Sequence, residues 1–295
     1  MYDIEKYYQA VDVDDAVRAL SKDPEAVVIS GGSDVLIKIR EGKLAGCSLV
    51  SIHGIKELEG IRVEEDGTIA IGPATTFSHI TNNKIIQELI PILGDAVDMA
   101  GGPQLRNIGT VGGNVCNGVT SADSASSLCC LDAILVLKGP KGMREVPISQ
   151  WYTGPGRTVR EHEEVLVSIR IKKENYEGYG GHYIKYGKRG AMEIATLGCA
   201  VTVKLTEDKK QIADLRLAYG VAAPTPIRCR ETEQSVIGME IGEALAVKVG
   251  KGALTEVNPR SSWRASKEFR LQLVEELGKR AVKQAVINAG GEWDA

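Results

Sequence analysis

Two glycine-bearing stretches hold the residue types best suited to gripping a ligand. In the first, "AVVISGGSDVLIKIREGK" at residues 26–43, an apolar run of Val27, Val28 and Ile29 meets Ser30, Gly31, Gly32, Ser33 and Asp34, then resumes as apolar chain. Glycine lets a ligand approach the backbone closely, and inward-facing amides of such a turn form a concavity for anions. Ser33 adds a hydroxyl, and Asp34 is placed to anchor the turn by accepting backbone amides. An ordinary turn joining two extended segments has the same composition. No G-x-G-x-x-G fingerprint is present here, so this stretch alone leaves both readings open.

The second stretch, "GGPQLRNIGTVGGNVCNGVTSADSAS" at residues 101–126, is rich in glycine and small polar residues but has no charge run. Its apolar residues Ile108, Val111, Val115 and Val119 suit a folded loop better than a linker. From Gly109 onward, Thr110, Gly112, Gly113 and Asn114 offer a hydroxyl, room for close approach and a side-chain amide. Asp123 is its only acid. It suits ribose or ribityl hydroxyls as an acceptor, or else caps a helix opening at "SASSLCC". Two such loops in one chain favour a cofactor with a diphosphate.

The 295 residues carry 36 basic and 39 acidic side chains, a net charge of −3, which argues against nucleic acid as the main partner. No apolar run reaches the ~20 residues of a membrane span, and the first residues lack a signal-peptide core. A cytoplasmic protein is expected. The six cysteines form no C-x-x-C pair and the four histidines are scattered, so no metal site is expected in this chain. Adjacent Cys129 and Cys130 read as small buried hydrophobes. Redox chemistry would then require an organic carrier.

Strands are expected at "AVVIS", "GCSLVSIHGI" and "EVLVSIRI", with a hairpin turning at Asp66-Gly67 and another at "GPKG". "DVDDAVRALSKDPEA" and "TTFSHITNNKIIQELIPILGDAVDMAGG" read as helical, the latter broken near Pro91. The texture changes near residue 176, where an antiparallel sheet and long helices follow. The expected class is α+β, divided at 1–175 and 176–295.

The stretches "SGGSDVLIKIR", "GGPQLRNIGTVGGNVCNGVTSADS", "YIKYGKRGAMEIATLG" and "PRSSWRASKEFR" together resemble the FAD-binding subunit of molybdenum hydroxylases. "TSADSAS" and "APTPIRC" bring it nearest to the bacterial xanthine dehydrogenase branch. The resemblance implies a two-part FAD-binding domain of the p-cresol methylhydroxylase/vanillyl-alcohol oxidase type, over 1–55 and 56–175, and a smaller C-terminal domain. It implies FAD in this chain, with 2Fe–2S clusters on one partner subunit and molybdopterin on another, as a dimer of heterotrimers. Electrons would pass from molybdenum through the clusters to flavin and on to NAD+ as hydride, a step that needs no side-chain acid.

By the same resemblance Val27 to Asp34 wrap the pyrophosphate and Gly109 to Asn114 form the opposite wall. Asp123 binds ribose or ribityl hydroxyls. Leu166 or Val167 sits by the adenine or the flavin rim, and Lys185 near the flavin pyrimidine edge, where a cation would raise the flavin potential. Read without it, Lys185 is a solvated strand-edge charge, and Tyr183 and Tyr186 either cover the ring or pack the sheet. "GYGG" at 178–181 is either a gate or an interdomain joint. Ala100 stands where some animal relatives carry an aromatic ring. The alternatives are a free-standing FAD-dependent oxidase and a non-catalytic nucleotide-binding regulator.

Overall fold

The computed structural model describes residues 2–293; residue 1 and residues 294–295, the ends of the two expected divisions, lie outside it. The chain begins with β1 (Ile4–Gln9), α1 (Val13–Lys22), β2 (Val27–Ile29), α2 (Val35–Arg40) and β3 (Cys47–Ser51). These strands make a parallel sheet in the order β1-β3-β2. Alternate strand residues point to opposite faces, so Val28 and Val50 pack under α1 while Ile29 and Leu49 pack under α2. Asp12 caps α1 by accepting the Asp15 amide. "VLIKIR" is thus a helix and not a second extended segment: its β-branched residues suggest a strand, but burial of Ile39 holds the helix.

Next come β4 (Ile61–Val63), β5 (Ile69–Ile71), α3 (Phe77–Thr81), α4 (Lys84–Leu89), α5 (Pro91–Asp98), α6 (Pro103–Ile108), α7 (Val111–Cys116) and α8 (Asp123–Cys130). They are followed by β6 (Ile134–Gly139), β7 (Gly142–Pro147), β8 (Tyr152–Gly154), β9 (Arg157–Thr158) and β10 (Val165–Ile171). The second sheet is antiparallel in the order β4-β5-β10-β6-β7. One face of β10 turns Val165 toward α1, and the other turns Leu166 and Ile169 into the helices. The glycine-rich second stretch is not a loop but two short helices, α6 and α7, joined at Gly109-Thr110.

The remainder is β11 (Tyr179–Tyr186), β12 (Leu197–Leu205), β13 (Ile212–Gly220), β14 (Ile227–Arg228), α9 (Arg230–Ser235), α10 (Glu243–Glu256) and α11 (Lys267–Asn288). The third sheet, β11-β12-β13-β14, is antiparallel and lies between α10–α11 on one side and the helices α5 and α8 on the other. Residues 179–181 open β11, and Gly180 is where α11 presses on that strand. A Cβ there would sit 2.1 Å from the Ala289 nitrogen. The architecture is α+β, as the hairpins and helical runs led one to expect, with one small parallel sheet at the N-terminus. No described helix is long and apolar enough to cross a membrane.

Candidate functional site

β2 and β3 run parallel, and ligands of parallel sheets gather beyond the carboxyl ends of the strands. Beyond β2 the chain turns through Ser30 to Asp34. A Cβ at Gly31 would lie 1.7 Å from the Ile108 carbonyl oxygen, so the first turn touches the end of α6 backbone to backbone. Gly32 has φ +74°, the left-handed region that favours glycine. No amide from Gly31 to Asp34 donates to an acceptor among the described residues. Asp34 does not anchor the turn through amides. Its carboxylate is 2.6 Å from Lys38 Nζ, which also donates to Asn117 Oδ1 at 2.9 Å and so ties α2 to the end of α7.

The second stretch is more self-contained than its composition suggests. Val111 and Gly112 donate to Thr75 and Pro73 at 3.1 and 2.9 Å, and Thr110 Oγ1 accepts the Gly113 amide at 3.1 Å as the cap of α7. Asn114 Oδ1 accepts from the Ser124 amide and hydroxyl at 3.2 and 2.7 Å, so this oxygen faces the protein. From Gly109 to Asn114 only the Thr110 amide is without an acceptor among the described residues. A Cβ on Gly112 would strike Pro73 at 2.4 Å, whereas one on Gly113 meets only Thr110 Oγ1, at 3.0 Å.

Between the two turns lies a cavity of about 800 Å³ lined by Ser30 and Gly31 from one and by Ile108 and Thr110 from the other. The Ser30 hydroxyl is buried there without a partner. The free amides of the first turn and of Thr110, with the orphaned Ser30 hydroxyl, suit an anionic, hydroxyl-rich ligand. His53, Lys56 and His79 also line this cavity and were missed from sequence. Their signal is positional: His53 and Lys56 follow β3 as Ser30 follows β2, which becomes legible only once the two strands are known to be parallel.

A second cluster lies across α6. Asp123 opens α8, but the cap position is Ala122 and no side chain caps the helix. Instead Asp123 Oδ1 is 3.0 Å from Lys185 Nζ, with the side chains 11% and 8% exposed. The Tyr183 hydroxyl donates to the same carboxylate at 3.3 Å, and Lys185 donates to the Met99 carbonyl at 2.9 Å. Burial pushes the Asp123 carboxyl up, while Lys185 and Tyr183 pull it back. Lys185 is therefore not a solvated strand-edge charge. Tyr183 is buried under the helices, and Tyr186 packs edge-on against Phe269 with ring centroids 5.8 Å apart. A cavity of about 300 Å³ adjoins Lys185, bordered by Met99, Arg106 and Arg189. Arg106 faces this smaller cavity, and its α6 neighbours Asn107 and Ile108 face the larger one.

The strand β10 separates the two residues left open by register. Leu166 is 4% exposed inside the helical core, whereas Val167 is partly buried against the cluster that joins α1 to the first sheet. Ala100 is buried in the helical core.

Residues 2–172 match the family described as the FAD binding domain in molybdopterin dehydrogenase. The chain belongs to that family. Residues 182–285 match the CO dehydrogenase flavoprotein C-terminal domain. The chain is 42% identical over 292 residues to the xanthine dehydrogenase FAD-binding subunit of Escherichia coli O157:H7, covering 99% of each. It is 29% identical to the carbon monoxide dehydrogenase medium chain of Hydrogenophaga pseudoflava, covering 95% of this chain and 96% of that one. A solved structure of that organism's carbon monoxide dehydrogenase superposes with a TM-score of 0.92 at 27% identity, covering 98% and 99%. This molybdenum-hydroxylase FAD subunit therefore shares both its parts, in order, with its relatives.

Proposed function

We propose that the chain carries FAD within a multi-subunit molybdenum hydroxylase of the xanthine dehydrogenase kind, and passes electrons from a partner's 2Fe–2S clusters to NAD+ as hydride. The observation that supports this most is the contact of two glycine turns beside one cavity, in a chain alike over 99% of its length to a xanthine dehydrogenase FAD-binding subunit. Bound FAD supplies the exchange between single-electron carriers and a two-electron acceptor.

The chain's own residues bind and orient. The segment Val27 to Ile29 presents the first turn, whose amides from Gly31 to Asp34, with the Ser30 hydroxyl, hold the diphosphate. Across from them Gly109 to Asn114 supply the Thr110 amide and the clear face of Gly113. Leu166 or Val167 sits by the adenine or the flavin rim. Asp123 and Lys185 act as one unit, not as two separate contacts. The Lys185 ammonium gives two of its three donors to Asp123 and Met99, which leaves one for a ligand. Because Asp123 neutralises it, Lys185 presents a hydrogen bond more than a bare charge. A ligand passing α6 reaches both cavities.

On this reading residues 1–55 and 56–175 form the FAD-binding part and 176–295 the C-terminal part, in a cytoplasmic dimer of heterotrimers. The partner that holds molybdopterin oxidises xanthine or a related purine. The test is anaerobic addition of xanthine to the purified assembly, following flavin bleaching and then NADH on adding NAD+. Bleaching followed by NADH is expected. Bleaching without NADH removes NAD+ as acceptor, a colourless protein removes the flavin, and turnover by this chain alone returns the free-standing oxidase.

A further inference from the structure

The segment between α10 and α11 has no part in either cavity, yet it is held rigidly and shows an unusual face to solvent. Trp263 is 80% exposed, the most exposed of the large apolar side chains. Its ring is covered only by the Arg264 guanidinium, 4.3 Å from the centroid. Beneath it Arg270 is 2% exposed and donates to the Arg260 carbonyl and, at 2.9 Å, to Ser262 Oγ. The segment is further fixed by Ser262 donating to Ala265 at 2.9 Å, by Lys267 donating to Ser261 Oγ at 2.9 Å, and by Ser266 capping α11.

Four cations meet here beside a single acid, Glu268 in the first turn of α11, which forms no ion pair among the described residues. Arg260, Arg264, Lys267 and Arg270 have no ion-pair partner among the described residues, and Arg270 Nε is buried without any acceptor. Further along the same helix Lys279 and Arg280 pair with Glu275 and Glu276 at 2.6 and 2.7 Å. Burial and the neighbouring charges of Arg260 and Arg264 lower the Arg270 pKa. A buried guanidinium that lacks a counter-charge is costly unless something outside supplies one. Exposed tryptophan and arginine on a pre-ordered base are the residues that dominate protein interfaces.

We propose that residues 258–266 form a docking surface for a partner protein subunit, with Trp263 as the anchor that enters an apolar recess and Arg260 and Arg264 meeting carboxylates around it. The occupant is an acidic face of a protein, because an indole needs a recess to bury it and four unpaired cations need acids. The inference rests on the chain working as one subunit of an assembly.

The test titrates the flavin-loaded full chain with its purified iron–sulfur and molybdenum subunits, at low and high salt, beside Trp263→Ala and Arg260→Glu/Arg264→Glu. Trp263→Ala should weaken association at least about thirtyfold. The double variant should also flatten the salt dependence, and flavin absorbance should be unchanged in both. Association within about threefold of the original chain in both variants overturns the docking surface while leaving the subunit reading intact. A nucleotide or inorganic phosphate bound by Arg260 and Arg264, with assembly unaffected, overturns it in favour of a small anion. Failure of the unaltered chain to bind either subunit removes the subunit reading, and this surface with it.

Discussion

At the scale of residues, the glycines of the two turns divide by what their missing Cβ would meet. Gly31 and Gly112 make room for protein: Ile108 in one case and Pro73 in the other. A Cβ on Gly113 would meet only Thr110 Oγ1, at 3.0 Å. Gly113→Ala should therefore leave the flavin-free chain within about 1 kcal/mol of its original stability in urea unfolding, yet weaken FAD binding at least about tenfold in a fluorescence titration. Equal FAD affinity would show that the open side of Gly113 does not face the cofactor. The buried pair behaves differently. Lys185→Met strands the Asp123 carboxylate, and the cost should be on the order of 3 kcal/mol. Adding Asp123→Asn should recover much of the loss, since no charge is then left unpaired. A double variant no more stable than the single one would mean the two groups do not act as a unit.

At the scale of elements, Glu164 fastens the corner that leads into β10. Both its oxygens accept from Arg144, at 2.6 and 2.7 Å, and it also takes the Glu161 amide at 2.7 Å. Burial opposes ionisation, but these donors prevail and hold the carboxyl below its ordinary value of 4.5. A lowered folded-state pKa gives stability that is present above the unfolded value and lost as pH falls through the folded one. Below about pH 4.5 the thermal midpoint of the original chain should therefore fall more steeply than that of Glu164→Gln, narrowing the gap between them; parallel curves would show that this contribution is absent. Hairpins of this kind were legible in the sequence. Asp66 accepts the Thr68 amide at 2.8 Å, the local bond that its Asp-Gly signal implies. The helix α2 was not legible, since packing of Ile39, Val35 and Leu36 on the first sheet and the Lys38 link to Asp34 and Asn117 hold six residues helical against their propensity. Nor was the Asp123–Lys185 pair, because the sequence marks each residue while only the packing of α8 on the third sheet joins them.

At the scale of the whole molecule, the helices between the second and third sheets are gripped from both sides. Arg216 is the main tie: it donates to the Cys130 carbonyl at 3.1 Å and to Asn175 Oδ1 at 3.0 Å, and it stacks on Tyr179 at 4.8 Å. Arg216→Leu should cost roughly 3 kcal/mol and lower the denaturant midpoint without changing the fold by circular dichroism, because buried acceptors lose their donor. The same packing brings the end of α6 against the turn after β2, and the functional account depends on that meeting. The most direct measurement is a crystal structure of the chain with FAD bound. The expected result has the diphosphate between the amides of residues 31–34 and the Thr110–Gly113 backbone, with the rest of the cofactor passing α6 toward Lys185. A diphosphate touching only one of the two turns, or lying elsewhere on the protein, would contradict it.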